Sequence, residues 1–249
     1  MQNEAQLDSV RENATSALRL MTKDRSLYYV SKRVIDFSIA LVLLILLSPL
    51  MLLIAAAIKL YSPGPIFFAQ ERVGAKRQGR GSGAYWKRVT FQCYKFRTMH
   101  IGADPSVHQA YVKALIENNQ EQMNALQGDA TEVRKLVHDT RITRPGRFLR
   151  KLSLDELPQL WNVIRGDMSL VGPRPAIPYE VEMYRPCHLR RLEAQPGITG
   201  FQQVTARSAA DFDQQVLLDI HYVEHQSLWF DLKIILKTPF VILLTKGAA

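Results

Sequence analysis

The feature that most constrains this chain is an uncharged apolar stretch, Phe37 to Ile58, bracketed by Asp36 and Lys59. These 22 residues would form a helix about 33 Å long, enough to cross the ~30 Å hydrocarbon layer of a bilayer. The stretch begins too far into the sequence for a cleavable signal peptide, and no small-residue cleavage site follows it. The first prediction is therefore a membrane helix that the mature protein keeps.

Ser48-Pro49 lies at the centre of this stretch and divides it into halves of about 11 residues. Proline removes a helix hydrogen bond and favours a kink or break, and each half, roughly 16 Å long, reaches only the bilayer centre. Basic residues flank both ends of the stretch, which conflicts with a simple crossing because positive flanks stay in the cytoplasm. We therefore predict a re-entrant helix over 28–60, broken at Ser48-Pro49, with the Ser48 hydroxyl bonded to a freed backbone group. On these features alone, a kinked helix that crosses the bilayer fits equally well.

The net charge restricts the partners of the chain. Its 32 Lys and Arg exceed its 23 Asp and Glu, which gives a formal charge of +9, and 47% of its residues are hydrophobic. That hydrophobic content excludes a disordered chain, and two cysteines, Cys93 and Cys187, exclude a disulfide framework or a cysteine-rich zinc site. A reducing compartment is expected, with an anionic partner: nucleic acid, a phosphorylated small molecule or a membrane surface.

A β-hairpin is predicted after the apolar stretch. The turn at residues 62–65 must end the helix, and two extended segments follow at 66–73 and 85–97. The loop between them, Gly79 to Ala84, matches the G-x-G-x-x-A nucleotide fingerprint by letter. A strand rather than a helix follows this loop, so it lacks the helix N-terminus that would bind a pyrophosphate. The match therefore does not predict a dinucleotide site.

Three other segments complete the predicted organisation. Residues 1–27 are mostly polar, and we interpret them as a mobile arm. Residues 104–139 are rich in Gln, Glu and Asn, which predicts a polar helical insertion on the surface without chemistry of its own. Residues 228–244 are apolar with Trp229 and two lysines, which indicates an interfacial amphipathic helix that Pro239 should interrupt.

Candidate chemistry is concentrated in one charged segment. Five cations within eleven residues precede the adjacent carboxylates Asp155 and Glu156. The cations are Arg141, Arg144, Arg147, Arg150 and Lys151. Such a cluster can bind nucleic acid, whereas carboxylates beside it suggest a phosphate and divalent-metal site.

The same carboxylates have a structural interpretation. Residues 153–156 fit a capping box, in which Glu156 would cap a helix rather than take part in chemistry. The apolar face of that helix would be Leu157, Leu160, Trp161 and Ile164. On these residues alone, capping is the favoured role of Glu156.

A second constellation, residues 221–225, has the H-x-x-E-H spacing of an inverted zinc-peptidase motif. His221 and His225 would lie one helical turn apart, but a zinc site needs a third protein ligand, and the sequence after them offers no clear one. The alternative is a helix surface with two titrating histidines. A zinc peptidase and a membrane-tethered binding or scaffold protein are kept as alternatives to phosphate chemistry.

With these residues assembled, the sequence resembles the bacterial sugar transferase family, the monotopic phosphoglycosyl transferases that start glycan assembly on a polyprenyl phosphate carrier. The similarity extends from about residue 28 to residue 246, and several blocks occur in the family's order. They are SP at 48–49, SPGPIFF at 62–68, YKFRTM at 94–99, LSLDELPQL at 152–160, GDMSLVGPRP at 166–175 and PGITG at 196–200.

The resemblance implies an α+β fold that is mainly helical, with a re-entrant membrane helix broken at Ser48-Pro49 and a small β-hairpin. The catalytic helical domain, residues 61–246, would lie on the cytoplasmic face of the bacterial inner (plasma) membrane. The implied reaction moves a sugar-1-phosphate from a UDP-sugar to polyprenyl (undecaprenyl) phosphate and releases UMP. It would be the first membrane step of exopolysaccharide, capsule or O-antigen type glycan assembly.

The resemblance also implies roles for individual residues. Asp155 corresponds to the nucleophile that carries the phosphosugar, and Glu156, with Asp155, to the ligands of Mg²⁺; this overrides capping as the role of Glu156. Arg150 corresponds to a phosphate-contacting residue. The other matched substrate-binding positions are Lys95, Arg97, Arg174 and Arg207. The expected partners are the donor, the lipid acceptor and membrane phospholipids, with no nucleic acid; the sugar and the oligomeric state, a homo-oligomer included, stay open.

Overall fold

The structure is a computed structural model that describes residues 25–79, 83–102, 106–127, 141–206 and 210–244. Within these ranges the chain is mainly helical with two small two-stranded sheets, which confirms the predicted α+β class. The α-helices are α1 Ser26–Tyr61, α2 Ser106–Ile116, α3 Gln120–Gln127, α4 Arg144–Lys151, α5 Gln159–Arg165, α6 Pro178–Glu182, α7 Phe201–Thr205, α8 Phe212–His225 and α9 Leu228–Leu244. The strands are β1 Phe67–Gln78, β2 Tyr85–Phe96, β3 Ser169–Val171 and β4 Gly197–Thr199, and 3₁₀ turns lie at Leu154–Glu156 and Pro186–Leu192. Residues 1–24 of the predicted arm lie outside the described residues.

Helix α1 contains the whole apolar stretch and, among the described residues, is the one helix long and apolar enough to cross a membrane. It continues through Pro49 without interruption, which corrects the predicted break in the helix at Ser48-Pro49. Pro49 has no N–H to donate to the carbonyl of Ile45, and the Ser48 hydroxyl donates to that oxygen instead, at 2.8 Å. The predicted hydrogen bond of Ser48 is confirmed, and it compensates for the one that proline removes.

Both halves of α1 pack against the rest of the protein. Ala40 in the first half belongs to the main apolar core, whereas Ile54 and Ile58 in the second half form a separate cluster with Phe96 of β2. Between these contacts the helix leaves apolar side chains exposed. They are Leu41, Val42, Ile45, Leu46, Leu50, Leu52 and Leu53. An exposed apolar surface of this extent is typical of a face that contacts lipid or another protein.

A buried polar cluster holds the beginning of α1. Lys32 Nζ lies 2.9 Å from Asp231 Oδ2 of α9. The same carboxylate accepts hydrogen bonds from the hydroxyls of Tyr28, at 2.9 Å, and Tyr222, at 2.7 Å. Buried charges are tolerated when they are paired and hydrogen-bonded in this way. The cluster therefore fixes α1 against α8 and α9.

We expect Lys32→Met to destabilise the folded protein by about 3–5 kcal/mol, because it leaves Asp231 buried without its cation. The free energy of unfolding in detergent, followed by circular dichroism, measures this effect. Lys113→Met is the control: Lys113 is a 59% exposed lysine that lies 4.0 Å from Glu117, and its replacement should cost less than about 1 kcal/mol. Equal effects of the two substitutions would show that the buried cluster does not stabilise the fold.

The predicted β-hairpin is confirmed, although its first strand extends five residues beyond the predicted end at Val73, to Gln78. β1 and β2 are antiparallel, with Phe67 opposite Phe96 at one end and Gln78 opposite Tyr85 at the other. The element that follows the glycine-containing loop is strand β2 rather than a helix, as predicted. β3 and β4 pair in parallel and form the second sheet.

The described part of the insertion belongs to the packed protein rather than to a polar surface appendage. In α2 and α3 the buried apolar side chains are Tyr111, Val112, Ala114, Ile116 and Met123. Val112 and Ile116 pack against Phe212 of α8. The predicted helices are confirmed for residues 106–127, but the predicted polar surface is wrong for α2, because seven of its eleven residues are apolar and four of these are buried. Residues 128–140 lie outside the described residues.

Helix α9 has an exposed apolar stripe on the side opposite the buried Asp231 and Ile234. The stripe consists of Trp229, Leu232, Leu236, Phe240 and Leu243. This spacing of three or four residues places the side chains on one helix face, as the interfacial interpretation requires. The helix continues through Pro239 to Leu244, so the predicted interruption is wrong.

Candidate active site

Asp155 and Glu156 lie in the 3₁₀ turn between α4 and α5. Ser153, just before this turn, has a φ of +55°, a left-handed conformation that residues other than glycine rarely adopt. The Ser153 side chain makes no capping hydrogen bond, and α5 begins only at Gln159. The capping-box interpretation of Glu156 is therefore wrong. In the same helix α5, Trp161 is 49% exposed, so it is not part of the predicted buried stripe.

Glu156 pairs with a lysine of the hairpin. Lys95 Nζ of β2 lies 2.6 Å from Glu156 Oε1, and the two side chains are 22% and 24% exposed. Burial alone would raise the pKa of Glu156, but the positive charges of Lys95, Arg174 and Arg72 together hold it below the ordinary glutamate value. Glu156 is therefore ionised at neutral pH, in surroundings with more positive than negative charge.

Asp155 is in a different environment, although it is the adjacent residue. Only 8% of it is exposed. Desolvation raises the pKa of Asp155; Lys95 opposes this shift, Glu156 adds to it, and Arg150 opposes it. Arg150 Nε also donates to Thr98 Oγ1 at 2.9 Å. This bond connects α4 to the segment that follows β2. A carboxylate with a raised pKa is more basic when ionised, which favours its use as a nucleophile.

Arg72 of β1 is a residue of this site that no sequence motif predicts. Its guanidinium is buried and donates to the carbonyl of Pro175 at 3.0 Å and to Gln70 Oε1 at 2.6 Å, and its Nε has no partner within the described residues. Arg72 lies opposite Phe91 in the hairpin register, so it shares a sheet face with Lys95. Pairing the two predicted strands across their loop sets Arg72 opposite Phe91 and so predicts that Arg72 and Lys95 share a face.

Arg174, in the loop after β3, lies beside Arg72 and Glu156. Gly172 and Gly197 bring this loop against β4, because a Cβ atom on either glycine would overlap the backbone of the other. The arrangement collects the cations Lys95, Arg72 and Arg174 around one carboxylate. A site with this charge imbalance favours a multiply charged anion such as a diphosphate.

One predicted substrate-binding residue has partners other than the carboxylates. Arg97 donates to the carbonyls of Pro63 and Ser62, at 2.6 and 2.8 Å, and so holds the turn after α1. Arg207 lies outside the described residues. The carboxylates Asp155 and Glu156 therefore lie among three of the predicted cations, Lys95, Arg150 and Arg174. Arg97 instead donates to the turn after α1.

A cavity of about 780 Å³ adjoins the carboxylate pair, a volume within the range of small-molecule sites. One part of its wall is polar and includes Glu156 and Arg174. Another part is apolar and comes from the two helices with exposed apolar faces; it includes Ile39, Leu43 and Leu47 of α1 and Ile235 and Ile242 of α9. Asp155 is buried next to the cavity, whose wall contains its neighbours Leu154 and Glu156. The cavity thus extends from the charged residues of the site to the apolar side chains of α1 and α9.

The two carboxylates also fit the predicted magnesium ion. Mg²⁺ is usually held by one or two carboxylates together with substrate phosphates, rather than by a closed cage of protein ligands. Asp155 and Glu156 provide such a pair, and within the described ranges no cluster of three or more metal-ligating side chains forms a complete site. The residues therefore suit an ion that arrives with a phosphorylated substrate.

The H-x-x-E-H string lies on α8, outside this cavity. The rings of His221 and His225 stack at 4.2 Å, and Glu224 forms an ion pair with Arg190 at 2.6 Å. The described residues supply no third ligand beside these histidines. This arrangement favours the helix-surface interpretation over a zinc peptidase.

Sequence comparison finds one family along most of the chain: the profile described as bacterial sugar transferase matches residues 27–245. The exopolysaccharide production protein ExoY of Sinorhizobium fredii is 40% identical over 219 residues, which are 88% of each chain. The UDP-glucose:undecaprenyl-phosphate glucose-1-phosphate transferase of Caulobacter vibrioides is 42% identical over 226 residues, 87% of this chain and 71% of that protein. The undecaprenyl-phosphate galactose phosphotransferase of Salmonella typhimurium is 40% identical over 217 residues, 87% of this chain and 41% of that protein.

Proposed function

Because the chain belongs to the bacterial sugar transferase family, we propose that it moves a sugar-1-phosphate from a UDP-sugar to polyprenyl (undecaprenyl) phosphate and releases UMP. The observation that carries this proposal is the Asp155-Glu156 pair, surrounded by cations, beside a cavity that reaches the apolar face of α1. The names of the relatives support the same classes of donor and acceptor. The reaction would be the first membrane step in the assembly of an exopolysaccharide, capsule or O-antigen type glycan.

The transfer consists of two displacements at one phosphorus atom. In the first, an oxygen of Asp155 attacks the sugar-bearing phosphorus of the UDP-sugar, the bond from this phosphorus to the bridging oxygen breaks, and UMP leaves with the electron pair. In the second, an oxygen of polyprenyl phosphate attacks the same phosphorus, which frees the Asp155 carboxylate and forms a polyprenyl diphosphate sugar. A covalent intermediate means that the donor and the anionic lipid never have to meet in one complex.

The surrounding residues supply the electrostatics of both displacements. Lys95 and Arg174 keep Glu156 ionised and, with Arg72, face the negative charge of the diphosphate. Arg150 favours the ionised form of Asp155, which the attack requires. Mg²⁺, when held by Glu156 and Asp155, would neutralise part of the diphosphate charge so that an anionic nucleophile can approach.

The test is incubation of the purified protein with Mg²⁺, polyprenyl phosphate and a panel of UDP-sugars, with UMP and the lipid product both quantified. The proposal expects UMP and polyprenyl diphosphate sugar in equal amounts for at least one donor. Release of free sugar-1-phosphate without a lipid product would indicate a hydrolase instead. No UMP from any donor, together with zinc-dependent hydrolysis of a peptide substrate that is lost in His221→Ala, would favour the peptidase alternative.

We also propose that α1 is re-entrant and that both of its flanks lie at the cytoplasmic face of the inner membrane. Lys32, before the apolar stretch, bonds Asp231, and Ile58, at its end, packs on Phe96. Both partners belong to the part of the chain that carries the site, which supports a topology with the two ends of the stretch on one side of the bilayer. The exposed apolar side chains between these contacts would enter the lipid, together with the stripe on α9.

This topology predicts that two cysteine positions are shielded from an impermeant thiol reagent in intact cells. One is the native Cys187, which is exposed in the folded protein and follows α1, whereas Cys93 is buried. The other is Ser9→Cys, before α1, in a Cys187→Ser background. Both should be labelled only after the inner membrane is lysed. Labelling of the Ser9→Cys protein in intact cells, with Cys187 still shielded, would instead show that α1 crosses the bilayer.

A further inference from the structure

Helix α2 of the insertion forms part of the wall of the same cavity that Glu156 and Arg174 line. Its residues at this wall are His108, Tyr111, Val112, Leu115 and Ile116. Val112 and Ile116 also pack against Phe212 of α8, which fixes α2 relative to the site. Helix α2, which the sequence predicts to be part of a polar insertion, therefore forms a fixed part of the cavity wall.

A hydrogen bond joins this helix to α6. His108 Nδ1 lies 2.8 Å from the hydroxyl oxygen of Tyr179. The next residue, Glu180, lines the cavity together with His108, and its Oε2 accepts a hydrogen bond from the backbone N–H of Ile177 at 3.0 Å. That bond fixes the Glu180 side chain at the start of α6. An imidazole and a carboxylate from two separate elements thus lie at one part of the wall. The imidazole is held there by its hydrogen bond to the Tyr179 phenol.

These polar groups lie close to the cations of the phosphate site. Partial desolvation lowers the pKa of His108, and the positive charges of Arg72 and Arg174 act in the same direction, against Glu180. The imidazole is therefore neutral at pH 7, with one nitrogen that donates and one that accepts a hydrogen bond. A substrate group next to the diphosphate would therefore contact the neutral imidazole of His108 and the carboxylate of Glu180, rather than a further cation.

We propose that His108 and Glu180 form the subsite for vicinal hydroxyl groups of the donor, with His108 positioned by Tyr179, so that the insertion helix α2 takes part in donor selectivity. Paired hydroxyls both donate and accept hydrogen bonds, which matches a carboxylate beside a neutral imidazole. Sites built to bond a substrate hydroxyl discriminate strongly against analogues that present it differently. The proposal rests on the proposed function, since the hydroxyls are those of a UDP-sugar, either on its hexose or on its ribose.

The test compares His108→Ala and Tyr179→Phe with the wild type, using UDP-glucose, UDP-galactose and their N-acetylated counterparts as donors. Each variant should raise the KM for the donor about 10-fold, the loss expected for one or two hydrogen bonds, with kcat nearly unchanged. Gln109→Ala is the control, because Gln109 is an exposed neighbour on the same helix that does not line the cavity. Tyr179→Phe removes a single oxygen atom, so it tests the subsite even where His108→Ala impairs folding.

The same assay distinguishes the two sources of hydroxyls. If the subsite binds the hexose, the ratios of kcat/KM between donors change and the inhibition constant of UMP does not. If it binds the ribose, all donors lose kcat/KM equally and the inhibition constant of UMP rises. Unchanged KM values, donor ratios and UMP inhibition in both variants, or a loss confined to kcat, would overturn the proposal. Wild-type activity in this assay separates that result from a failure of the proposed function, which would appear as wild-type protein that releases no UMP.

Discussion

Asp155→Asn is expected to abolish sugar-phosphate transfer, with a loss of at least about 10⁴-fold, as when the nucleophile of other covalent enzymes is removed. Asparagine has nearly the same volume as aspartate, but its amide cannot form the acyl phosphate. The variant should stay folded. Because burial raises the pKa of Asp155, the ionised carboxylate is disfavoured in the folded state at neutral pH, and a neutral amide removes this cost. The unfolding temperature of Asp155→Asn should therefore equal or exceed that of the wild type.

The measurement combines UMP release with thermal unfolding of the same preparation. Asp213→Asn provides a matched control, since Asp213 is a half-exposed carboxylate that pairs with Arg185 and does not line the cavity. It should keep most of the activity. A folded Asp155→Asn protein with more than about one-hundredth of wild-type turnover would contradict the role of Asp155 as the nucleophile.

Glu156→Gln is expected to lower kcat/KM by about 10²–10³-fold, the cost of removing one preorganised electrostatic group from an active site. The substitution keeps the shape of the side chain but takes away the charge that Lys95 neutralises at 2.6 Å. It also removes a hard oxygen ligand, so a higher Mg²⁺ concentration should restore part of the rate. Glu182→Gln is the control, because Glu182 is exposed on α6 and does not line the cavity.

The dependence on Mg²⁺ separates this role of Glu156 from a purely structural one. Rates of the wild type and the variant would be measured across a range of Mg²⁺ concentrations at saturating donor. A shift of the half-saturating Mg²⁺ concentration to higher values supports metal binding. If the concentration for half-maximal rate is the same in both proteins, Glu156 acts through Lys95 and the fold rather than through the ion.

Local patterns in the sequence predict much of this fold. The length of the apolar stretch, the alternation in 85–97 and the proline-containing turn at 62–65 depend only on neighbouring residues, and the structure contains the corresponding helix, strand and turn. The two prolines within helices show the limit of such patterns. Pro49 and Pro239 both leave their helices continuous, and for Pro49 the Ser48–Ile45 hydrogen bond explains why. The expectation that proline breaks a helix does not take into account a side-chain hydrogen bond that replaces the missing backbone one.

Long-range contacts decide the parts that the sequence does not predict. Glu156 fits a capping box by spacing, but its carboxylate pairs with Lys95, which lies 61 positions earlier in the sequence. Arg97 and Lys95 are two residues apart in one motif, yet one holds the turn after α1 and the other faces the carboxylates. Which cation meets which anion depends on how the hairpin packs against the 3₁₀ turn, and no local pattern records that packing.

The insertion, residues 104–139, shows that composition alone does not predict burial. Residues 104–139 are rich in Gln, Glu and Asn, but α2 within them is mostly apolar, and its Val112 and Ile116 pack against Phe212. Composition averaged over the whole segment therefore hides the apolar helix within it. For this reason the sequence alone does not predict that α2 lines the cavity.

The most direct test of the covalent mechanism is a single-turnover measurement with a UDP-sugar radiolabelled at the sugar-bearing phosphate, enzyme at stoichiometric concentration, Mg²⁺ and no polyprenyl phosphate. The account predicts release of close to one equivalent of UMP, label that stays bound to denatured wild-type protein but not to Asp155→Asn, and transfer of that label to lipid when polyprenyl phosphate is added. UMP that forms only after polyprenyl phosphate is added, with no label on the protein beforehand, would contradict it and favour direct transfer within a ternary complex.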